Sequence, residues 1–240
     1  MKEALLYHEL PDDVVRCDLC AHHCRVAPGK LGICQVRKNI DGILYTLVDD
    51  RLISQHVDPV EKKPLFHFYP GSKAYSVATP GCNFRCAWCQ NWQIAQMPHE
   101  QHLIAGDKVM PEEIVAAAKA SGSYSIAYTY TEPTVFFELA YATAQLAHAA
   151  GLANIYVTNG YMTDAMLTKY HIPRAAEMPA TDVIFVQTDE PSGPFGAKSV
   201  AEISIDGVAP AIASAIHDAT GVWMRELPYT PERVKSALRV

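Results

Sequence analysis

Three cysteines within eight residues give the chain its clearest chemistry. Gly81-Cys82-Asn83-Phe84-Arg85-Cys86-Ala87-Trp88-Cys89 spaces its thiols C-x3-C-x2-C. Thiolates at these gaps can wrap one face of an iron–sulfur cube. A [4Fe–4S] cluster held by three cysteines leaves one iron without a protein ligand, open to nitrogen and oxygen donors of a small molecule. Two other readings fit the residues: a zinc loop with His99 or His102 as fourth ligand, or three unrelated buried thiols. A glycine before the first cysteine and an aromatic before the last favour the cluster.

A second group precedes it. Cys17-x2-Cys20-x3-Cys24-x9-Cys34 offers four soft ligands, with His22 and His23 nearby. Four thiolates suit a closed zinc site or a second iron–sulfur cluster, and spacing does not choose between them. The alternative is a reduced, merely structural set. All seven cysteines fall in the first 89 residues. An odd count behind an acid-bearing start without a signal-peptide pattern argues against a disulfide framework and for a cytoplasmic protein.

The elements that must position these groups follow from the pattern. A strand is expected over Ile43–Val48 and a loop over residues 58–73. Strands over Ala74–Thr79, Ser125–Tyr130 and Asn154–Thr158 alternate with helices over Pro111–Ser121 and Pro133–Ala150, each helix opened by proline. Strands separated by helices imply βαβ units and a parallel sheet, so the class is α/β. Only three strands and two crossovers fit before Lys169, about half of a barrel that needs roughly 30 residues per unit. The tail reads differently, with a short strand over Asp182–Thr188, an apolar helix over Pro210–Ala219 and a last helix from Thr230.

The cysteine loop resembles the signature of the radical S-adenosylmethionine (SAM) enzymes. The resemblance runs over roughly residues 15–167, to the activating-enzyme-like branch of the AmmeMemoRadiSam system, similar to pyruvate formate-lyase activating enzymes. It is carried by Cys17–Cys20, Gly32–Arg37, Asp58–Leu65, His67–Gly71, Gly81–Trp92, Tyr128–Pro133 and Val157–Tyr161, with Ala21 standing where the family usually has proline. It implies a [4Fe–4S] cluster on Cys82, Cys86 and Cys89. SAM would chelate the open iron, and one electron from a ferredoxin or flavodoxin would cleave it to methionine and a 5′-deoxyadenosyl radical. Glu132, Asn159 and Gly160 are the implied SAM-binding residues.

Residues 170–240 resemble another family, the C-terminal end of the molybdenum-binding subunit of xanthine dehydrogenase and aldehyde oxidase. The likeness is carried by Ile172-Pro173, Asp182–Val186, Glu190–Glu202, Ala209–Ala219 and Leu227–Val234. It implies a general base at Glu202, but molybdopterin is not expected in this chain, because the rest of the subunit is absent. The expected organisation is therefore a Cys-rich region over 1–73, half of a radical SAM (β/α) barrel over 74–169, and an α+β hydroxylase segment over 170–240. Such a composite could be inactive through truncation. The rival readings are a molybdenum hydroxylase fragment and a non-catalytic chimeric metal-binding protein.

Composition sets the outer limits. With 240 residues, 49% hydrophobic and 19% charged, the chain can form a core and is not globally disordered. No apolar run reaches the roughly 18–20 residues of a membrane span. A net charge of −6 without a basic run gives no footprint for nucleic acid. Association through exposed apolar edges is expected, because the barrel half would end on an uncovered strand.

Overall fold

The computed structural model describes residues 1–163, 165–166, 208–225, 229 and 231–238. These fall into two compact units. The first comprises residues 1–58 and the described part of 73–178; the second holds residues 59–72 and the described residues of the tail.

The heart of the first unit is a four-stranded sheet. Strand β9 (Lys73–Ala78), β11 (Ser125–Tyr128) and β12 (Ala153–Tyr156) run parallel, with Ser125 level with Ala74 and Ala153. Strand β8 (Ser54–Pro59) flanks β9, giving the order β12-β11-β9-β8. All four residues of β11 are buried, as a central parallel strand covered on both faces must be. Helix α2 (Pro111–Ala120) buries Ile114, Val115 and Ala118, and its Glu113 carboxylate accepts the Met110 N–H at 2.7 Å. Helix α3 (Phe137–Ala149) buries Phe137, Leu139, Ala140 and Ala147.

The structure departs from the sequence reading at particular points. The expected single helix over Pro133–Ala150 begins as a 3-10 turn, Pro133–Phe136, because the Glu132 side chain caps it through the Thr134 N–H. Strand β11 stops at Tyr128, before Tyr130 takes a left-handed φ of 65°. Residues 2–46 form two small antiparallel sheets, of which only the strand expected over Ile43–Val48 was read from the sequence. One orders β2 (Tyr7–Glu9), β3 (Val15–Cys17) and β4 (Arg25–Val26); the other orders β1 (Lys2–Glu3), β6 (Ile43–Thr46) and β5 (Arg37–Ile40). Strands of two to four residues leave no readable alternation. A helix not expected at all, α1, spans Trp92–Glu100 with Pro98 inside it.

Among the described residues no closed barrel forms, and β12 is an edge strand. The partial barrel expected from sequence is thus a partial, open sheet. The strand expected over Asp182–Thr188 lies outside the described residues. In the second unit, helices Val208–Thr220 and Pro231–Ala237 match the expected tail helices, and Ala213 is buried while Ile212 is exposed.

Within the first unit, a buried ion pair ties the N-terminal sheets to α3. Arg37 Nη2 donates to both oxygens of Glu138 on α3 at 2.5 Å, and Leu5 N donates to the same carboxylate at 2.7 Å. Burial works against the Arg37 charge, but Glu138 holds it firmly protonated. Ala4, Val15, Cys17, Leu19, Val26 and Leu44 pack with Phe137 of α3 in one apolar cluster.

Candidate metal and cofactor site

Parallel strands deliver their C-terminal ends to one edge of the sheet, and the chemistry-bearing residues follow those ends. After β9 comes Gly81-Cys82, after β11 comes Glu132, and after β12 come Thr158-Asn159-Gly160. Thr131 Oγ1 donates to the Thr79 carbonyl at 3.0 Å, stitching the first two exits together.

Glu132 is 1% exposed, and both its oxygens are engaged. Oε1 accepts from Thr134 N at 3.2 Å and from the hydroxyls of Thr134 and Thr158 at 2.5 Å. Oε2 accepts from Asn159 N and Nδ2, each at 2.8 Å. Gly160 N in turn donates to Thr158 Oγ1 at 3.0 Å. The structure thus brings Glu132, Asn159 and Gly160 together. In this arrangement the carboxylate orients the Thr158–Gly160 turn rather than offering a free face.

The cysteine loop is held at its start and finish. A proline inside a helix has no N–H for the carbonyl four residues back. In α1 that carbonyl belongs to Ile94, and Gly81 N donates to it instead, at 3.1 Å. Gly81 has a φ of +98°, and an added Cβ would lie 2.5 Å from Val36 Cγ1 and 3.3 Å from the Cys34 carbonyl, so only glycine fits here. Gln96 Nε2 donates to the Phe84 carbonyl at 2.8 Å, and Asn91 Nδ2 to the Tyr130 carbonyl at 2.9 Å. Sequence reasoning passed over Asn91, Gln96 and Pro98. A proline seven residues into a helical stretch was the available signal.

Between these ties the loop faces outward. Cys82 is buried, Cys89 half-buried and Cys86 exposed, and Trp88 is 85% exposed. Burial pushes the Cys82 thiol up, while the amides of Phe84 and Glu132 donate to its sulfur and oppose that shift. Among the described residues no three His, Cys, Asp or Glu groups already stand together as a metal shell. The donor set nevertheless fits an iron–sulfur cluster: three thiols on one outward loop, one already hydrogen-bonded from the backbone. His99 Nε2 donates to the Ile33 carbonyl at 2.8 Å.

The four N-terminal cysteines lie elsewhere and differently. Cys17, Cys20, Cys24 and Cys34 line one small cavity together with Arg37 and Asn83. All are free thiols, three of them buried. Burial raises every one of them, and Cys34 is pushed up to about 12. The two cysteine groups touch through Asn83, whose carbonyl accepts from His22 Nε2 at 3.0 Å. Glu202 lies outside the described residues, as does the segment around it.

The Radical SAM superfamily model matches residues 76–192, a stretch that holds the cysteine loop, β11 and β12. The match extends past Lys169, where the sequence reading had placed the end of the barrel half. An uncharacterised protein of Methanocaldococcus jannaschii, MJ0808, is 46% identical over 162 residues, 68% of this chain and 48% of that protein. Weaker likeness is to molybdenum hydroxylase subunits. The probable hypoxanthine oxidase XdhD of Escherichia coli strain K12 is 42% identical over 94 residues, 39% of this chain and 10% of that protein. The aldehyde oxidoreductase molybdenum-binding subunit PaoC of the same strain is 36% identical over 80 residues, 33% of this chain and 11% of that subunit. This chain therefore spans about half the length of the archaeal relative and about a tenth of the hydroxylases. The comparison with solved structures gives no match. No helix among the described residues is long and apolar enough to cross a membrane.

Proposed function

We propose that this chain is a radical SAM [4Fe–4S] protein of the activating-enzyme-like, AmmeMemoRadiSam type. The observation that carries the proposal is the convergence of Cys82, Glu132 and the Thr158–Gly160 turn at the C-terminal edge of a three-stranded parallel sheet. Sites of α/β proteins lie at that edge. A [4Fe–4S] cluster held on Cys82, Cys86 and Cys89 would supply the one-electron chemistry, fed by a ferredoxin or flavodoxin, for cleavage of SAM to methionine and a 5′-deoxyadenosyl radical.

The chain's own residues do the rest. Cys82, Cys86 and Cys89 would hold the cluster, with Cys82 set deepest and its sulfur accepting from the Phe84 amide at 3.4 Å. Glu132 fixes the Asn159 side chain and backbone, so the turn that meets SAM is ordered before SAM arrives. Gly81 locks the start of the loop against Val36 and the Cys34 carbonyl. The exposed loop tip leaves an approach open for a donor protein.

Anaerobic reconstitution with iron and sulfide tests the reading. The expected product is a broad iron–sulfur absorption and, with reductant and SAM, formation of 5′-deoxyadenosine. Cys82→Ala is expected to lose both. Equal iron binding by the Cys82/Cys86/Cys89→Ala variant overturns the assignment.

A second reading rests on the likeness of part of the chain to XdhD and PaoC. It would make the tail a molybdenum hydroxylase segment with Glu202 as base. Molybdenum bound to the purified chain, with aldehyde or purine oxidation lost in Glu202→Gln, would favour it over the first.

A further inference from the structure

The N-terminal cavity is built for sulfur anions and a cation. Strands β3 and β4 pair with Val15 opposite Val26 and Arg16 opposite Arg25, and Cys17 N donates to the Cys24 carbonyl at 2.9 Å. Cys17 and Cys24 therefore stand opposite each other at the loop end of one hairpin, where directly opposed Cβ atoms lie about 4.5–5.5 Å apart. Cys20 sits in the connection between them. Cys34 enters from the turn Gly32–Gln35, closed by Gln35 N donating to the Gly32 carbonyl at 2.9 Å, with Gln35 at a φ of 59°. Four thiols from a hairpin and a turn thus line one cavity, without yet standing close enough together to form a metal shell.

Arg37 lines the same cavity and places a positive charge beside the thiols. Four thiolates in a buried cavity need a cation to be stable there.

We propose that Cys17, Cys20, Cys24 and Cys34 together bind one zinc-class divalent cation in a closed, four-sulfur site. The hairpin decides for a single ion over a second cluster. Sulfurs sharing one zinc sit about 3.8 Å apart, the edge of a tetrahedron with bonds of about 2.3 Å. Opposed residues of a hairpin supply that spacing, whereas cysteines of an iron–sulfur cube bind separate irons. The sulfurs close onto the ion by side-chain rotation, and each gives up its proton to solvent as it binds. The site stands independently of the cluster on Cys82, Cys86 and Cys89.

The test uses the full chain carrying Cys82→Ala, Cys86→Ala and Cys89→Ala, purified without added metal, with elemental analysis and acid-labile sulfide. The expected result is about one zinc per chain and no sulfide, falling to near zero when Cys17→Ser and Cys34→Ser are added. A folded variant without stoichiometric zinc overturns the proposal. So does iron with matching sulfide, or a Cys17–Cys24 disulfide found by peptide mass spectrometry. If the variant does not fold, the parent chain decides: a mercurial thiol reagent must release one zinc as it consumes thiols, and consumption without release overturns the site.

Discussion

The two cysteine groups use the same side chain for opposite ends. Cys17, Cys20, Cys24 and Cys34 line one cavity, with Cys17 and Cys24 opposed across a hairpin. Cys82, Cys86 and Cys89 lie on an outward loop that runs from buried Cys82 to exposed Cys86 within four residues and ends half-buried at Cys89. The difference is one of ligand count and access. A group with four thiols can satisfy a metal completely and gains from exclusion of water. A group with three must leave a position open and accessible, so the fold holds the loop by its ends and lets its middle face solvent. The enclosed group also supports the open one, through His22 to Asn83, His99 to Ile33, and Gly81 against Val36.

Breaking the support under the enclosed group has the largest expected effect. Arg37→Ala strips Glu138 of its buried partner, and loss of one member of a buried pair costs about 3–5 kcal/mol. Chemical denaturation should show this as a large drop in midpoint. Cys86→Ala, at the exposed tip, should stay within about 0.5 kcal/mol of the parent in the metal-free protein. Equal destabilisation by the two would erase the contrast between enclosed and open groups.

Gly81→Ala comes next, because it strikes the seam between the groups. The new Cβ meets Val36 Cγ1 at 2.5 Å and the φ of +98° is unfavourable for alanine. The combined cost is about 1–3 kcal/mol. Gly81→Ala in a Val36→Ala background should recover the steric part and retain the backbone part. Full additivity of the two substitutions would mean that the seam does not carry the contact.

How much of this could be read beforehand depends on the range of the interaction. The parallel order of β9, β11 and β12 was legible, because proline-opened helices and β-rich runs alternate locally. Cys82, Cys86, Cys89 and Glu132 stand out in the sequence because they sit in short motifs. The hydrogen bonds of Glu132 do not: in the fold its oxygens accept from Thr134, Thr158 and Asn159, up to 27 residues away. Helix α1 was missed because Pro98 argues against a helix until Gly81 is seen to occupy the carbonyl it frees. The small N-terminal sheets were missed because their strands are too short for periodicity, and their register is set by the cavity and by Arg37.

Pro98→Ala gives a smaller and more local effect. Alanine restores an N–H that competes with Gly81 for the Ile94 carbonyl. Hydrogen exchange at the Gly81 amide should accelerate, by roughly the factor of ten that corresponds to about 1.4 kcal/mol of a lost hydrogen bond. The amides of Cys17 and Leu19 should exchange unchanged. Unaltered exchange at Gly81 would show that the loop start is held by packing against Val36 alone.

The smallest expected effect lies at the other tie of the open loop. Tyr130 presents its carbonyl to Asn91 and its hydroxyl to Asp58. Burial first, and the hydrogen bond to the Asp58 carboxylate second, push the Tyr130 phenol from 10.0 up to about 12. A raised pKa means that the folded chain keeps its proton where the unfolded chain has lost it. The contribution to stability is therefore complete below pH 10 and is lost as pH climbs toward about 12. Tyr7, held near Glu3 and likewise raised to about 12, contributes in the same window and is present in any Tyr130 variant. The measurement is consequently a difference of slopes. Stability of Tyr130→Phe should decline less steeply with pH over this window than that of the parent, while its value at neutral pH reports the loss of the bond to Asp58. Identical slopes would mean that Tyr130 titrates as in the unfolded chain, and that the tie beside the open loop is made by the Asn91 bond alone.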